Sequence, residues 1–203
     1  MSFRKELKSI ISKNKIEKLK YWIMQNDGEI LHAERNINSV YLDNKNFSMH
    51  VDSMEGSVPR KKIRIRNYND LPIFDTNNNK LELKISSAEG RYKKVSNIDN
   101  IDLFNFKVND NNYGACFPVV CVSYKRIYYF LKKIRLTIDR NISYRIVKFG
   151  KISSFFHHEP YNIIEIKYNN PDYDNTVKSF PFHFVRFSKY SRAIEYKKKK
   201  YGF

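Results

Sequence analysis

Three cations at alternate positions, Lys62, Arg64 and Arg66, stand in the stretch RKKIRIRNY, with Ile63 and Ile65 between them. Successive side chains of a β-strand leave opposite faces, so the cations share one face and the isoleucines the other. Like charges on one face destabilise it unless something negative lies among them. A guanidinium grips two phosphate oxygens at once and an ammonium acts as a mobile point charge, so phosphate suits this row. A second pattern mixes the charges. Glu6-Leu7-Lys8, Glu82-Leu83-Lys84 and Glu165-Ile166-Lys167 each put a carboxylate and an ammonium on one face and an apolar residue on the other. Arg135-Leu136-Thr137-Ile138-Asp139 does the same with Arg, Thr and Asp, and Tyr124 shares a face with Arg126. One carboxylate among such cations can hold a hard divalent cation that takes its other ligands from phosphate and water.

Strands must position these residues. FRKELKSII, INSVYLD, RKKIRIRNY, KLELKIS, VVCVSYKRIYYF, IRLTID, SYRIV and NIIEIKY all alternate with period two. Asn-rich loops such as DTNNNK and NDNNYG separate them. Helices are fewer. One is predicted from a Ser12 cap to about Gln25, with Ile16, Leu19 and Ile23 on one face. A short one is predicted over Asp172 to Ser179 and a last one over Ser188 to Tyr196. Two arrangements satisfy the pattern. In one, an ordinary antiparallel sheet turns its polar face to water. In the other, the sheet closes into a barrel with a charged interior, a tunnel for a phosphate chain with a carboxylate-held metal ion. Charged positions recur in nearly every strand, and the arginine-rich strand has no acid in its own row. Both points favour the barrel.

The 203 residues form one expected domain, and 41% hydrophobic content suffices for a core. Lys and Arg total 38 against 21 Asp and Glu, a formal charge of +17 that points to a polyanionic partner. Abundant Lys, Asn, Ile and Tyr match an AT-rich coding bias, which explains the lysines better than the arginines. The basic run Lys197 to Lys200 is expected to trail as a flexible, solvated tail. Cys116 and Cys121 have no second pair to complete a metal site, so a reduced, cytoplasmic setting is expected. No leader or membrane-spanning run is read in the chain. No P-loop, no GxSxG and no zinc pattern occurs, and His157-His158 is expected to be a loop pair rather than a metal pair.

The order FRKELK, INSVYLDN, RKKIRIRNY, LELKIS, SYKR, RLTID, IIEIKY and RFSKYSRAIE resembles the VTC domain over Phe3 to Glu195. This is the polyphosphate polymerase domain of the vacuolar transporter chaperone, within the triphosphate tunnel metalloenzyme (CYTH-like) superfamily. The resemblance implies an α+β fold, an eight-stranded antiparallel tunnel barrel with a charged interior and flanking helices. It also implies a Mn or Mg ion and transfer of the terminal phosphoryl group of ATP, or another nucleoside triphosphate, to inorganic polyphosphate. By this resemblance Arg64, Arg66, Arg126, Arg135 and Lys189 are catalytic. Lys8, Lys62, Lys84, Tyr124 and Ser188 bind substrate, and Lys93 or Lys94, taken as Lys94, fills one more basic position. Glu165 holds the metal.

The hydrolytic branch of the superfamily carries more first-strand glutamates. Here that strand has Glu6 and Lys8, with Arg4 where another acid would stand. A polymerase-like transferase is therefore expected ahead of a triphosphatase or polyphosphatase, with a non-catalytic polyanion-binding module as a further alternative. Nucleic acid is set aside as partner, because the tyrosines follow composition. Moving a product across a membrane would fall to a separate membrane or operon partner.

Overall fold

The alternating stretches all become strands in a computed structural model, which describes residues 5–169 and 173–202. In chain order these are β1 (Lys5–Ile11), α1 (Ile16–Gln25), β2 (Glu29–Asp43), α2 (Ser48–Glu55), β3 (Arg60–Asn67), β4 (Asn79–Ser87) and β5 (Gly90–Ile98). There follow β6 (Val108–Asp110), β7 (Gly114–Leu131), β8 (Ile134–Lys148), β9 (Lys151–His158), β10 (Asn162–Tyr168), α3 (Asp174–Lys178) and α4 (Lys189–Tyr201). The fold is α+β. Eight strands follow one path, β1-β10-β8-β7-β2-β3-β4-β5, while β6 pairs with β7 and β9 with β8. The path ends at β1 and β5. Among the described residues no ladder joins them, so hydrogen bonding does not close the expected barrel.

Several local expectations change. IRLTID and SYRIV are one strand, β8, which contains Asn141 at φ 54. Asn tolerates this left-handed conformation at low cost. Ser12 precedes a 3-10 turn, Lys13–Lys15, and makes no side-chain cap bond there. Asp172 lies outside the described residues. The expected basic tail is instead the last turn of α4, where ammonium groups complement the helix dipole. Ser188 caps this helix, its Oγ accepting from the Ser191 N–H at 3.3 Å. His157 and His158 lie on β9 rather than in a loop. His157 stacks between Tyr144 and Tyr196, and His158 packs edge-on to Phe156.

The chain divides into two compact units. Unit one comprises Met1–Asn36, Tyr124–Ile142 and Glu159–Phe187. Unit two comprises Ile37–Ser123, Ser143–His158 and Ser188–Phe203. In unit one, Leu136, Ile138, Ile164 and Ile166 of the sheet pack with Leu19, Trp22 and Ile23 of α1 and with Val177 and Phe180. Trp22 donates its Nε1–H to Ser179 Oγ at 3.1 Å, so its polar edge is satisfied. In unit two, Ile63 and Ile65 are buried with Val40, Leu42, Met49 of α2, Phe74 and Ile101. Fully burying each such side chain contributes about 1.5–3 kcal/mol. These two cores commit the apolar face of each strand and leave the alternate positions to the polar face. Cys116 and Cys121 are buried free thiols, and burial pushes them up to about 11 and about 12. No helix among the described residues is long and apolar enough to cross a membrane.

Candidate functional site

Strand register assembles the polar face of unit one. Lys8 on β1 lies opposite Glu165 on β10, which lies opposite Thr137 on β8. One rung away, Glu6 lies opposite Lys167, which lies opposite Arg135. Glu165 is ion-paired to Lys167. Glu6 reaches Lys8 at 3.4 Å and Lys167 at 3.6 Å. Lys8 also donates to the Phe187 carbonyl at 3.1 Å. Burial alone would raise the Glu165 carboxyl, but Lys167, Lys8 and Arg126 hold it well below the usual carboxylate range. Arg126 forks onto Asp139, with Nη2 to Oδ2 at 2.7 Å and Nε to Oδ1 as the second bond. Its guanidinium lies 5.3 Å from the Tyr124 ring and 5.8 Å from the Tyr128 ring. Burial would lower Arg126, yet the Asp139 carboxylate keeps it charged. Two donors on this face are unspent. Arg135 Nε and Thr137 Oγ1 are both buried with no hydrogen-bond partner.

The polar face of unit two is built on β2, β3, β4 and β5. Lys62, Lys84 and Lys93 lie opposite one another across β3, β4 and β5. Tyr41, Arg64 and Glu82 form the next row, and Ser39, Arg66 and Lys80 the one after. Glu82 is 2% exposed. It accepts from Arg64 Nε at 2.6 Å and from Lys93 Nζ at 2.7 Å. Arg64 also donates to the Tyr41 hydroxyl at 3.2 Å, and Arg66 to Ser39 Oγ at 3.3 Å. Lys62 donates to Ser188 Oγ at 3.1 Å, and its ammonium lies over the Tyr190 ring. Tyr190 stacks on Tyr41 at 5.0 Å and donates its hydroxyl to Asp43. Asp43 in turn accepts from the backbone N–H groups of Asn44, Met49 and His50, which ties the start of α2 to the end of β2. Burial and the neighbouring Asp43 carboxylate push Tyr190 up, so the phenol keeps its proton, and burial pushes Asp43 up as well.

Among the described residues, no group of three or more His, Cys, Asp or Glu side chains could hold a metal by itself. Glu6 and Glu165 nevertheless converge on one cation, the Lys167 ammonium. Two hard carboxylates of this kind fit a hard divalent cation, which completes its shell with phosphate oxygens and water.

The VTC domain model matches residues 3–116 and 105–197. The chain belongs to the VTC domain family. No curated protein sequence matches it. Among solved structures, a candidate adenylate cyclase from Vibrio parahaemolyticus is similar at TM-score 0.54 and 14% identity, over 96% of this chain and 98% of that one. That likeness shows a shared fold. A Hippeastrum candidate adenylyl cyclase with a dominant triphosphatase activity aligns at TM-score 0.48 and 12% identity, over 96% of each chain.

In this VTC domain, Lys8, Glu165, Arg135 and the Tyr124–Arg126 pair come together in unit one. Lys62, Arg64, Arg66, Lys84 and Ser188 come together in unit two, with Lys189 opening α4 beside Ser188. Lys94 does not join them. It lies opposite Leu83 on the apolar side, and Lys93 takes the place beside Glu82. The arginine row also differs from expectation, because its acid comes from the adjacent strand. Lys61 points away from the row and pairs with Asp110 at 2.9 Å, while Arg60 holds the Gly56 and Ser57 carbonyls. Glu82, Asp139, Thr137, Lys167 and Tyr190 were not singled out as site residues. The first four lie in the alternating motifs and needed only the cross-strand register. Tyr190 has no such signal.

Glu82 makes stability depend on pH. Burial would raise its carboxyl, but Arg64, Arg66 and the Lys93 hydrogen bond pull it from 4.5 down to about 2. A depressed folded value stabilises above the unfolded value and is lost as pH falls through the folded one. Wild type should therefore lose about 3 kcal/mol relative to Glu82→Gln as pH falls from about 5 towards 2. Urea midpoints across that range check this, and parallel pH profiles for the two proteins would refute it.

Proposed function

We propose that this VTC domain is a phosphotransferase that moves the terminal phosphoryl group of ATP, or of another nucleoside triphosphate, onto inorganic polyphosphate. Family membership supports phosphate-chain chemistry. The observation that carries the residue-level reading is the pair of buried, unpartnered donors, Arg135 Nε and Thr137 Oγ1, on one polar face with Lys8 and Glu165. A buried donor left unsatisfied costs about 1–3 kcal/mol, which a phosphate oxygen would recover.

A terminal oxygen of the acceptor chain attacks the γ-phosphorus. The bond from that phosphorus to the β–γ bridging oxygen breaks, and ADP leaves with its electron pair. The acceptor is already an anion, so no serine, cysteine or histidine nucleophile is required. Arg135, Thr137 and Lys8 orient the phosphoryl oxygens and neutralise their charge. Asp139 fixes the Arg126 fork for the same purpose. Lys62, Arg66, Lys84, Ser188 and Lys189 bind phosphate, and Arg64 is steadied by Glu82. Glu165 and Glu6 would hold Mg or Mn, which supplies further neutralisation of the phosphate oxygens.

The test is incubation of the protein with ATP and Mn, with and without a short polyphosphate primer, followed by gel and phosphorus NMR. Chains growing with release of ADP are expected. Free phosphate or pyrophosphate without chains would make the protein a hydrolase. Bound polyphosphate without turnover would leave a binding module.

A further inference from the structure

Unit two carries an exposed face that phosphate transfer does not use. β8 and β9 join through Phe149 and Gly150, and at Gly150 (φ +70) an added Cβ would stand 2.4 Å from the Phe104 Cα. Only glycine allows that approach, which sets Phe104 beside the turn. Phe149 is 75% exposed, Phe155 73%, Phe104 65% and Tyr201 45%. Scattered single apolar residues are ordinary on a surface, but neighbouring open rings mark a contact site. Lysines lie among them. Lys148 Nζ is 5.4 Å from both the Phe149 and the Tyr201 ring centroids, and Lys200 Nζ is 5.0 Å from that of Phe155. Lys151 lies opposite Lys148 across the turn, and Lys199 shares the last turn of α4 with Lys200, while Lys198 turns away to the Phe47 ring. Among the described residues, none of the four lysines Lys148, Lys151, Lys199 and Lys200 pairs with a carboxylate.

We propose that this face docks on an anionic lipid bilayer, with Phe149 and Phe155 entering the headgroup region while the lysines meet lipid phosphates and carboxylates. The charge is complementary to such a surface and to no part of a neutral one. Polybasic attraction and a few inserted rings are each weak alone and hold firmly together. A single-stranded nucleic acid fits less well. Base stacking by such proteins runs along a basic groove that tracks the strand, whereas these lysines gather at one turn and one helix end.

The test is cosedimentation of the full chain with phosphatidylcholine vesicles and with vesicles containing about one-third phosphatidylserine. Binding to the anionic vesicles should be about tenfold or more tighter, and should fall in 1 M salt as the Debye length shrinks from about 8 Å to about 3 Å. Lys151→Glu/Lys199→Glu/Lys200→Glu should abolish the preference. Phe149→Ser/Phe155→Ser leaves charge and α4 unchanged, and should weaken binding about tenfold while polyphosphate affinity stays at the wild-type value. Thermal melts confirm that both variants fold. A Phe149→Trp indole should shift to the blue on anionic vesicles. Equal binding to both vesicle types, wild-type binding by the phenylalanine variant, or no vesicle binding would each overturn the proposal. So would selective capture of short single-stranded RNA, lost in the same variants.

Discussion

Arg126→Ala is expected to destabilise the fold by about 3–5 kcal/mol, because it strands a buried carboxylate. Asp139 is fully buried, and Arg126 meets it with two hydrogen bonds. At this chain length that loss lowers the thermal midpoint by roughly 10 °C. Asp139→Ala should cost a similar amount, since the guanidinium then loses its fork. The double variant Arg126→Met/Asp139→Leu should recover most of the stability, because neither charge remains to be desolvated. Phosphate transfer should stay lost in the double variant, since the Arg126 guanidinium is gone and Arg135 alone is left on that face. Additive losses in the double variant would show that the pair does not act as a unit. Wild-type turnover by the double variant would remove Arg126 from the chemistry.

Arg135→Met should behave in the opposite way. Its Nε is already buried without a partner, so removing it relieves an unsatisfied donor. The thermal midpoint should hold or rise, with a change within about 0.5 kcal/mol. Transfer should fall about 10²–10³-fold, the usual loss when one positioned donor to a charged transition state is removed. Polyphosphate at about a hundred times its dissociation constant should stabilise wild type by about 2.7 kcal/mol and Arg135→Met by much less. A variant with a large loss of stability and near-normal turnover would make Arg135 a structural residue and leave the orphan donors unexplained.

The alternating stretches were legible because side-chain direction in a strand has a period of two, whatever the strand pairs with. That property separated Ile63 and Ile65 from Lys62, Arg64 and Arg66, and the buried isoleucines follow it. It also put Glu165, Lys167, Arg135 and Thr137 on polar faces. Gly and Pro were too few to punctuate the chain, so IRLTID and SYRIV read as two strands. Asn141 instead carries one strand through a left-handed residue.

The sequence by itself determined which residues are polar-faced, which are core, and which family the chain resembles, because these depend on residue type, spacing and order. Tertiary structure alone decided the partners. The acid for the arginine row is Glu82, eighteen residues from Arg64, and it arrives through the β3–β4 register. A one-residue shift of that register would have sent Glu82 to the other face. The same dependence places Lys93, and not Lys94, beside Glu82. Charge balance, burial and orphaned donors are likewise set across strands, by which side chains face one another at hydrogen-bonding distance, and spacing along one strand carries no record of that.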